Sequence, residues 1–232
     1  MKRLLTIGLI FISFVGFTQE NVIKLGISGV AYGDFSLSYE RKVAAKSAIN
    51  FTFGYLNPNV SLLGSSLPQH SSTKVGLSEL YDGFHTSLDY RFYVGKKEAP
   101  KGFYLAPYLR YFGYKFLVID EIDGDYFKVN SHISSIGLGF QMGYHWIVYD
   151  KISIDWYFLG LGAEYVMPKA VYTTDSKNFN YSSIVDNVVA VFDGWGYFQK
   201  RLKTTTSNDN MTAKLHTLFP GIKAGLSIGY AF

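Results

Sequence analysis

The carboxy-terminal twelve residues constrain the fold more than any other part of this chain. They read G-I-K-A-G-L-S-I-G-Y-A-F from Gly221 to Phe232, with an apolar residue at every even position and a small or polar residue at every odd one. Successive side chains of a β-strand point to opposite faces, so one face of this segment is apolar to its end and the other is not. Such a strand suits a wall between lipid and a polar interior, which predicts a transmembrane β-barrel of the outer membrane.

The amino terminus has the pattern of a secretory signal peptide. Lys2 and Arg3 precede an apolar run at 4–17 that ends in small residues suited to cleavage. This run is shorter than the ~20 apolar residues that a membrane-spanning helix requires. The sequence therefore predicts a signal peptide over 1–18 and a barrel domain over 19–232 that is exported to the cell outer membrane.

Composition favours strands as the elements that carry the apolar residues. Hydrophobic residues make up 48% of the chain and aromatics 18%, with 19 Tyr and 19 Phe, yet the rest of the chain contains no second long apolar run. Apolar residues then belong on alternating strands, and aromatic girdles at the membrane interfaces would use many of the tyrosines and phenylalanines. The chain has no cysteine, which excludes disulfides, thiolate metal sites and cysteine nucleophiles.

Period-two alternation recurs in eight segments, joined by connections that are alternately short and long. The segments are 22–30, 34–41, 47–56, 82–94, the two arms of a hairpin spanning 102–146, 151–162, and the strand that ends at 232. The connections at 42–46, 95–101 and 149–150 are short, whereas those at 57–79 and 166–210 are long. Bacterial barrels have short periplasmic turns and long extracellular loops. We therefore predict an all-β, antiparallel, up-and-down barrel, with eight strands and long extracellular loops.

The first hairpin allows a prediction of strand register. If it turns about Tyr32, Lys24 faces Glu40 and Ser28 faces Ser36. Polar residues then pair with polar ones, and the apolar residues between them share the outward face.

The fifth and sixth strands give a second register, because Asp123-Gly124 is a strong two-residue hairpin signal. Centring the turn there pairs Tyr104 with Gly143 and Tyr108 with Gly139, so large inward side chains meet glycines. The resulting ladder exceeds the ~10 residues per strand that a bilayer requires. We therefore predict that this hairpin projects above the membrane.

The long connection at 166–210 contains a segment with two interpretations. Apolar residues recur there at helical spacing: Ile184, Val188, Phe192, Trp195, Phe198 and Leu202. Ser183 and Asp186 would supply a capping box for such a helix. Asp193-Gly194 fits a hairpin equally well, and a membrane hairpin over 188–202 would raise the strand number to ten. A further hairpin, turning at 207–210, is predicted to lead into the last strand.

The inward-facing charged residues form a nearly balanced set, which predicts a buried ion-pair network in the lumen. Its members are Lys24, Glu40, Asp89, Arg91, Arg110, Asp155 and Lys223. The bore of an eight-stranded barrel is just wide enough for side chains to fill. We therefore predict a lumen filled by its own side chains, with a narrow hydrated path through the network as the alternative.

No pattern in the sequence identifies a catalytic site. His85, Ser87 and Asp89 share the inward face of one strand, but neighbours on that face stand about 6.6 Å apart, too far for a nucleophile-to-base hydrogen bond. His145 and Asp155 face inward on adjacent strands and suit a base and its orienting group, yet no serine is clearly placed between them. The sequence therefore predicts no catalytic residue and no cofactor.

Metal and nucleic-acid sites are not predicted either. The acidic segment at 120–125 lacks the spacing and the distal bidentate Glu of a calcium loop. No pair of histidines has metal-ligand spacing. Lys200, Arg201 and Lys203 form a basic cluster that is too small for nucleic acid and better suited to anionic lipid head groups.

Three segments carry a family resemblance. They are F-S-L-S-Y-E-R at 35–41, G-F-Y-L-A-P-Y-L-R-Y at 102–111 and F-P-G-I-K-A-G-L-S-I-G-Y-A-F at 219–232. Together they resemble a family of small outer-membrane β-barrel proteins classed as a domain of unknown function, and this resemblance implies a fold without implying an activity. It also implies that Tyr230 and Phe232 act as an insertion signal read by the barrel-assembly machinery; the alternative is that both are girdle aromatics.

These observations predict a non-enzymatic, monomeric barrel with a structural or surface-interaction role, similar to small barrels of the outer-membrane protein A type. Outer-membrane lipid is its predicted partner, together with the barrel-assembly machinery during insertion. Two alternatives stay open. One is an outer-membrane lipid-modifying enzyme with active residues near the rim, and the other is a narrow channel or a binder of an apolar ligand.

Overall fold

The computed structural model describes a chain that is almost entirely β-strand. It covers residues 20–57, 76–122, 125–174, 181, 185–186, 188–189, 196–207 and 209–232. The predicted signal peptide, the Asp123-Gly124 turn, most of the connection at 57–79 and the acidic side chains at 120–125 lie outside the described residues. Among the described residues, no helix is long and apolar enough to cross a bilayer.

Ten strands pair antiparallel in a single sheet. They are β1 Asn21–Gly26, β2 Asp34–Ala44, β3 Ser47–Leu56, β4 Gly76–Val94, β5 Gly102–Ile122, β6 Asp125–Val148, β7 Ile152–Thr174, β8 Leu202–Thr206, β9 Met211–Leu215 and β10 Thr217–Ala231. A 3₁₀ turn spans Val30–Tyr32, and a single helical turn spans Gly196–Gln199.

Eight of these strands close into a ring. β1 pairs with β2 on one side and with β10 on the other, and β10 also pairs with β7. Asn21 and Phe232 exchange two backbone hydrogen bonds, at 3.1 and 2.9 Å, where the first and last strands meet. The predicted all-β, antiparallel ring of eight strands is therefore confirmed. We call the end that carries Asn21, Phe232 and the short connections the turn end, and the opposite end the far end.

The register of β5 and β6 is the one predicted from the sequence. Tyr104 pairs with Gly143, Tyr108 with Gly139, and the ladder continues without a shift along the whole hairpin. Since side chains alternate between faces, this register buries Tyr104 and Tyr108 inside the ring and leaves residues such as Leu109 exposed outside.

The register predicted for the first hairpin is wrong by two residues. Lys24 pairs with Ser38, not Glu40, and the residue opposite Ser36 is Gly26, not Ser28. The reason is the 3₁₀ turn, which ends at Gly33 in a left-handed conformation (φ 80°) and draws the centre of the hairpin back by one residue. A shift of two residues keeps every side chain on its predicted face.

β7 is longer than the sequence indicates. It continues to Thr174, so the predicted start of the long connection near 166 is wrong. The part of β7 nearer the turn end pairs with β10 as far as Val166. The part nearer the far end pairs with β9 through Lys169–Tyr172. β8 and β9 form the predicted hairpin, closed by a hydrogen bond from Ser207 N to Asn210 O of 2.8 Å.

The strands β4 to β7 extend beyond the ring at its far end. β3 pairs with β4 only as far as Leu56 and Gly83, while β5 and β6 run for 21 and 24 residues. Together with β9 and β8, the upper parts of these strands form what we call the projecting sheet. It has its own apolar cluster, made of Val129, Tyr181, Met211 and Ala213.

Three described residues of the segment at 184–202, Val185, Val188 and Leu202, pack on this projecting sheet. Residues 185–186, 188–189 and 196–199 are helical, and Val185 and Val188 contact the apolar cluster. The helical interpretation is therefore confirmed at these residues and wrong at Leu202, which begins β8. The ring has eight strands, and the two additional strands lie beside β7 outside it.

The outward face of the ring is apolar and exposed, as the alternation predicts. Large side chains on this face include Leu25, Leu37, Phe51, Phe53, Leu88, Leu109, Leu138, Phe140, Trp156, Leu161 and Ile222. Leu138 is 65% exposed and Ile222 is 71% exposed, whereas inward neighbours such as Arg91 and Asp155 are almost completely buried. This distribution is the reverse of the one found in water-soluble proteins, where charged residues are rarely buried.

Candidate functional site

Five of the seven residues predicted for the lumen network form one buried cluster near the turn end. Lys24 Nζ lies 2.6 Å from Glu40 Oε2 and 2.6 Å from Asp155 Oδ2. Arg91 donates to Asp89 Oδ2 at 2.7 Å, to Glu40 Oε2 at 2.9 Å and to Asp155 Oδ2 at 2.6 Å. We call Lys24, Glu40, Asp89, Arg91 and Asp155 the charge cluster. Each is at most 2% exposed, so the pairing must compensate for the loss of hydration.

Tyrosines complete the coordination of the charge cluster. Tyr104 donates a hydrogen bond to Asp155 Oδ1 at 2.9 Å, and its ring lies 4.4 Å from the Arg91 guanidinium carbon. Tyr93 donates a hydrogen bond to Glu40 Oε1. Both tyrosines are at most 3% exposed. Charges and phenols from β1, β2, β4, β5 and β7 therefore meet inside the ring at this level.

Lys223 borders the charge cluster, whereas Arg110 lies apart from it. Lys223 reaches it through Asp89 Oδ1 at 3.4 Å and Ser87 Oγ at 3.2 Å. Arg110 Nε instead donates to Glu164 Oε1 at 2.5 Å, while Glu164 Oε2 accepts from Ser135 at 2.8 Å. The prediction of one network with seven members is therefore wrong for Arg110, which belongs to a second pair nearer the far end.

Glu164 was missed because β7 contains a bulge. The register of β7 shifts between its pairs Met142–Leu159 and Gly143–Tyr157. Before the bulge the inward residues have odd numbers, such as Asp155, and after it they have even numbers. Strict alternation from Asp155 would place Glu164 outside the ring, although it is 4% exposed and faces inward.

His145 lies beside the charge cluster and contacts a serine. Its Nε2 is 2.7 Å from Ser153 Oγ, its Nδ1 is 3.1 Å from the Tyr93 hydroxyl, and Nδ1 is 3.5 Å from Glu40 Oε2. The sequence interpretation placed no serine near His145, and Asp155 binds Lys24 and Arg91 instead of orienting the imidazole. His145 and Ser153 are 0% exposed, which gives a substrate no route to them in the described structure.

His85, the other histidine that the sequence offered as a base, contacts Asp34 and not Ser87. Its Nε2 lies 2.9 Å from Asp34 Oδ1, a partner that the sequence interpretation did not identify. Ser87 and Asp89 both contact Lys223 instead. His85 therefore belongs to one polar contact, with Asp34, whereas Ser87 and Asp89 belong to another, with Lys223.

Glycines on the inward faces of β6, β7 and β10 make room for the tyrosines. A Cβ atom placed on Gly143 would lie 2.5 Å from the Tyr104 hydroxyl oxygen, and one on Gly225 would lie 2.3 Å from that of Tyr157. Both distances are shorter than van der Waals contact. The prediction that large inward side chains meet glycines is confirmed for Tyr104 and for Tyr108, whose hydroxyl oxygen would lie 2.7 Å from a Cβ atom on Gly139.

The ring is not filled along its whole height. A cavity of about 460 Å³ lies on the far-end side of the charge cluster. Its walls include Asp34, His85, Arg110, Gln141 and Lys223. The prediction of a lumen filled along its whole length is therefore wrong at the level of this cavity. The reason is the small size of the inward residues on the first strands, among them Ser36, Ser38 and Thr52, which leave a space that the opposite wall does not fill.

The predicted insertion-signal residues lie on the outside of the ring at the turn end. The rings of Tyr230 and Phe232 are stacked, with centroids 6.4 Å apart, and are 52% and 37% exposed. At the same end of the ring, exposed Glu98 accepts a hydrogen bond from Lys42 Nζ at 2.8 Å, and this contact lowers the pKa of Glu98.

Two further features considered in the sequence are a metal site and the basic cluster. The described residues contain no group of three or more His, Asp or Glu side chains arranged to hold a metal ion. In the basic cluster, the Arg201 guanidinium carbon lies 3.8 Å from the Tyr197 ring centroid, beside the projecting sheet.

Comparison with known proteins adds no relative to this description. No family model, curated protein sequence or solved structure matches this chain.

Proposed function

We propose that this chain is an integral outer-membrane protein whose eight-stranded ring spans the bilayer as a sealed, non-enzymatic and monomeric barrel. The observation that carries the proposal is the contrast between the two faces of the ring. Exposed Leu138 and Ile222 are typical of its outer face, and buried Arg91 and Asp155 of its inner face. Lipid cannot form hydrogen bonds with backbone groups, and a closed antiparallel ring pairs these groups among its own strands. An apolar outer face on such a ring is suited to contact with hydrocarbon.

The shape of the molecule supports one orientation. The connections at the turn end are short, including the two-residue turn at Tyr149 and Asp150, where both residues have positive φ. The strands β4 to β7 run for 19 to 24 residues and extend past the ring at the far end. Because ~10 residues cross a bilayer, the projecting sheet would stand outside the cell and the turn end would face the periplasm.

The charge cluster supports a sealed bore. Arg91 contacts three carboxylates, and Lys24 contacts two of the same ones. An ion crossing the ring would have to displace these pairs, which are desolvated and therefore costly to break. The barrel would then serve as a rigid membrane support for the projecting sheet, whose surface is the part available to partners.

The enzyme alternative has less support. A lipid-modifying site would lie near the rim, where lipid can reach it, but the one serine-histidine contact described, Ser153 with His145, is completely buried. A narrow channel would conduct ions, so the measurement of conductance tests this alternative together with the proposal.

Conductance of refolded protein in planar bilayers tests the sealed barrel. We expect no single-channel steps from the wild type, and we expect heat-modifiable migration in gels as evidence that the barrel has formed. Steps that disappear in Asp89→Asn would contradict the proposal, because they would show ions passing the charge cluster. Leu138→Ala, which changes only the outer face, is the matched control. Absence of the protein from isolated outer membranes would contradict the membrane assignment itself.

A further inference from the structure

A row of basic residues crosses the projecting sheet from strand to strand. Lys115 pairs with His132, and His132 pairs with Lys169. Lys169 then pairs with Lys214, and Lys214 pairs with Lys203. Directly opposite residues of paired strands point to the same face of a sheet. The five side chains therefore form one stripe, which we call the basic row, and all five are exposed.

The charges of the basic row are not balanced within the sheet. Of the six residues paired in this register, Asp82, opposite Lys115 at one end, is the one acidic residue. Among the described residues, no ion pair includes any side chain of the basic row. Like charges directly opposite each other destabilise a sheet. A bound anion would relieve this repulsion, so the row is suited to an anionic partner.

A cavity of about 420 Å³ lies against the row. Lys115, His132 and Lys169 all line it, together with Asp82 and Asn130. A phosphate group has several oxygens that accept hydrogen bonds, and such bonds are strongest when the donors are cationic. Three basic side chains around one cavity therefore favour a phosphate group over a neutral ligand.

The basic row lies just past the ring, on the face that continues its apolar outer surface. The β3–β4 pairing ends at Gly83, next to Asp82, and the β7–β10 pairing ends at Val166, three residues before Lys169. Lys169 is an even number of residues from exposed Leu161, with no shift of register between them. Since side chains alternate, both residues point outward.

This position matches the head-group layer of a bilayer that surrounds the ring. Exposed Ile136 and Tyr165 pair with each other on the outer face, four residues nearer the turn end than His132 and Lys169. Four residues span about 13 Å along a strand, which is about 10 Å in height for a tilted one. The head-group layer is about 5–8 Å thick, and the flexible stem of a lysine lets its ammonium group reach this layer.

We propose that the basic row binds the phosphate groups of anionic membrane lipids, whose acyl chains lie on the apolar outer face of the ring. Lys115, His132 and Lys169 hold one phosphate in the cavity, and Lys214 and Lys203 extend the site along the sheet. The inference rests on the proposed position of the ring in the bilayer. It adds to that proposal the chemistry of the lipid that is bound and the residues that bind it.

Electron paramagnetic resonance of spin-labelled lipids tests the proposal, with the refolded full chain in phosphatidylcholine bilayers. The probes are spin-labelled phosphatidate and spin-labelled phosphatidylcholine, which have the same acyl chains and different head-group charge. We expect the protein to immobilise phosphatidate with at least tenfold preference, and high salt to reduce this preference by screening. Equal immobilisation of both lipids by inserted protein overturns this inference alone. Failure of the protein to enter the bilayer overturns the membrane proposal as well.

The variant Lys169→Gln tests the row itself. We expect the preference for phosphatidate to fall about fivefold, which is the effect of one lysine near an anionic surface. Lys169→Arg keeps the charge and should keep the preference. Lys97→Gln removes the same charge from the exposed connection at the turn end and should have no effect. Equal effects of Lys169→Gln and Lys97→Gln would show general attraction of charge and overturn the site.

A second variant keeps the test valid if Lys169→Gln does not fold. Lys214 lies in β9, outside the ring, so Lys214→Gln leaves every strand pairing of the ring unchanged. We expect normal heat-modifiable migration and a similar loss of preference. Unchanged preference in folded Lys214→Gln overturns the assignment of the row.

Competition with inorganic phosphate, added at constant ionic strength, distinguishes a lipid from a soluble ligand. We expect no displacement of phosphatidate, because a free phosphate ion lacks the acyl chains that contact the ring. Displacement by millimolar phosphate would show that the row is a site for soluble phosphate and would overturn the lipid assignment.

Discussion

Lys24 Nζ lies 2.6 Å from Asp155 Oδ2, and this contact joins β1 to β7 across the inside of the ring, over 131 residues of sequence. The two strands are not neighbours in the sheet, since β10 lies between them. The contact therefore braces the ring across its bore, in addition to the backbone ladder around its wall. Arg91 adds a second brace, from β4 to the same Asp155 oxygen.

Replacing Arg91 with Met should strongly destabilise the protein. The substitution leaves Asp89 short of a partner in a buried site, and breaking a buried ion pair in this way costs about 3–5 kcal/mol. Urea unfolding in detergent micelles measures the loss in the free energy of unfolding. Lys42→Met is the control, because the Lys42–Glu98 pair is exposed and screened by solvent. Similar losses in both variants would show that the charge cluster does not brace the ring.

Replacing Gly225 with Ala should force Tyr157 out of its position. The added Cβ would lie 2.3 Å from the Tyr157 hydroxyl oxygen, and overpacking of this kind costs about 1–3 kcal/mol. The double variant with Tyr157→Leu should lose less stability than the sum of the two single variants. Gly196→Ala has no atom within 4 Å of its new Cβ and should be neutral. Additive losses in the double variant would rule out the clash.

Replacing Met211 with Ala should loosen the projecting sheet and leave the ring intact. Met211 is 0% exposed in the apolar cluster of that sheet, and truncation of a buried Met costs about 2–5 kcal/mol. Trypsin should cut faster near Lys200, Arg201 and Lys203, while heat-modifiable migration stays normal. Leu138→Ala, on the exposed outer face of the ring, should not change the rate of cleavage. Loss of heat-modifiability in Met211→Ala would show that ring and projecting sheet unfold as one unit.

Removing Phe232 should reduce the amount of protein assembled in the outer membrane if Tyr230 and Phe232 form an insertion signal. The same deletion should have little effect on refolding into detergent, where no assembly machinery acts. Phe35→Ala also removes an exposed aromatic from the outer face, at the other end of the ring. Quantifying folded protein in outer membranes compares the two variants. Equal reductions would favour the girdle interpretation.

The sequence was most informative where local chemistry fixes register. The Asp-Gly signal and the inward glycines determined the whole β5–β6 ladder, because any odd shift would turn Leu109 and its neighbours into the lumen. The first hairpin lacks such a signal. Its centre depends on the positive φ of Gly33 after a 3₁₀ turn, and nothing in the alternation of β1 and β2 distinguishes the two possible centres.

The cavity and the Arg110–Glu164 pair could be found only from the structure and not from the sequence. Period-two alternation assumes an unbroken strand, the predicted seventh strand ended at 162, and one bulge in β7 turns Glu164 to the inner face, where alternation continued from Asp155 would not place it. Alternation also predicts on which face each side chain lies, but it does not predict how much of the interior the inward side chains fill. The sequence therefore identified the charges of the charge cluster but could not show that a cavity of about 460 Å³ lies on its far-end side.

Closure between β1 and β10 has a consequence for the timing of folding. The strand that must pair with Asn21–Gly26 is the last one of the ring to be made. The ring therefore cannot close until β10 has been made. Pairings over such long separations in sequence are slow to form. Whatever accompanies the chain must keep the edges of both strands from other partners until they meet.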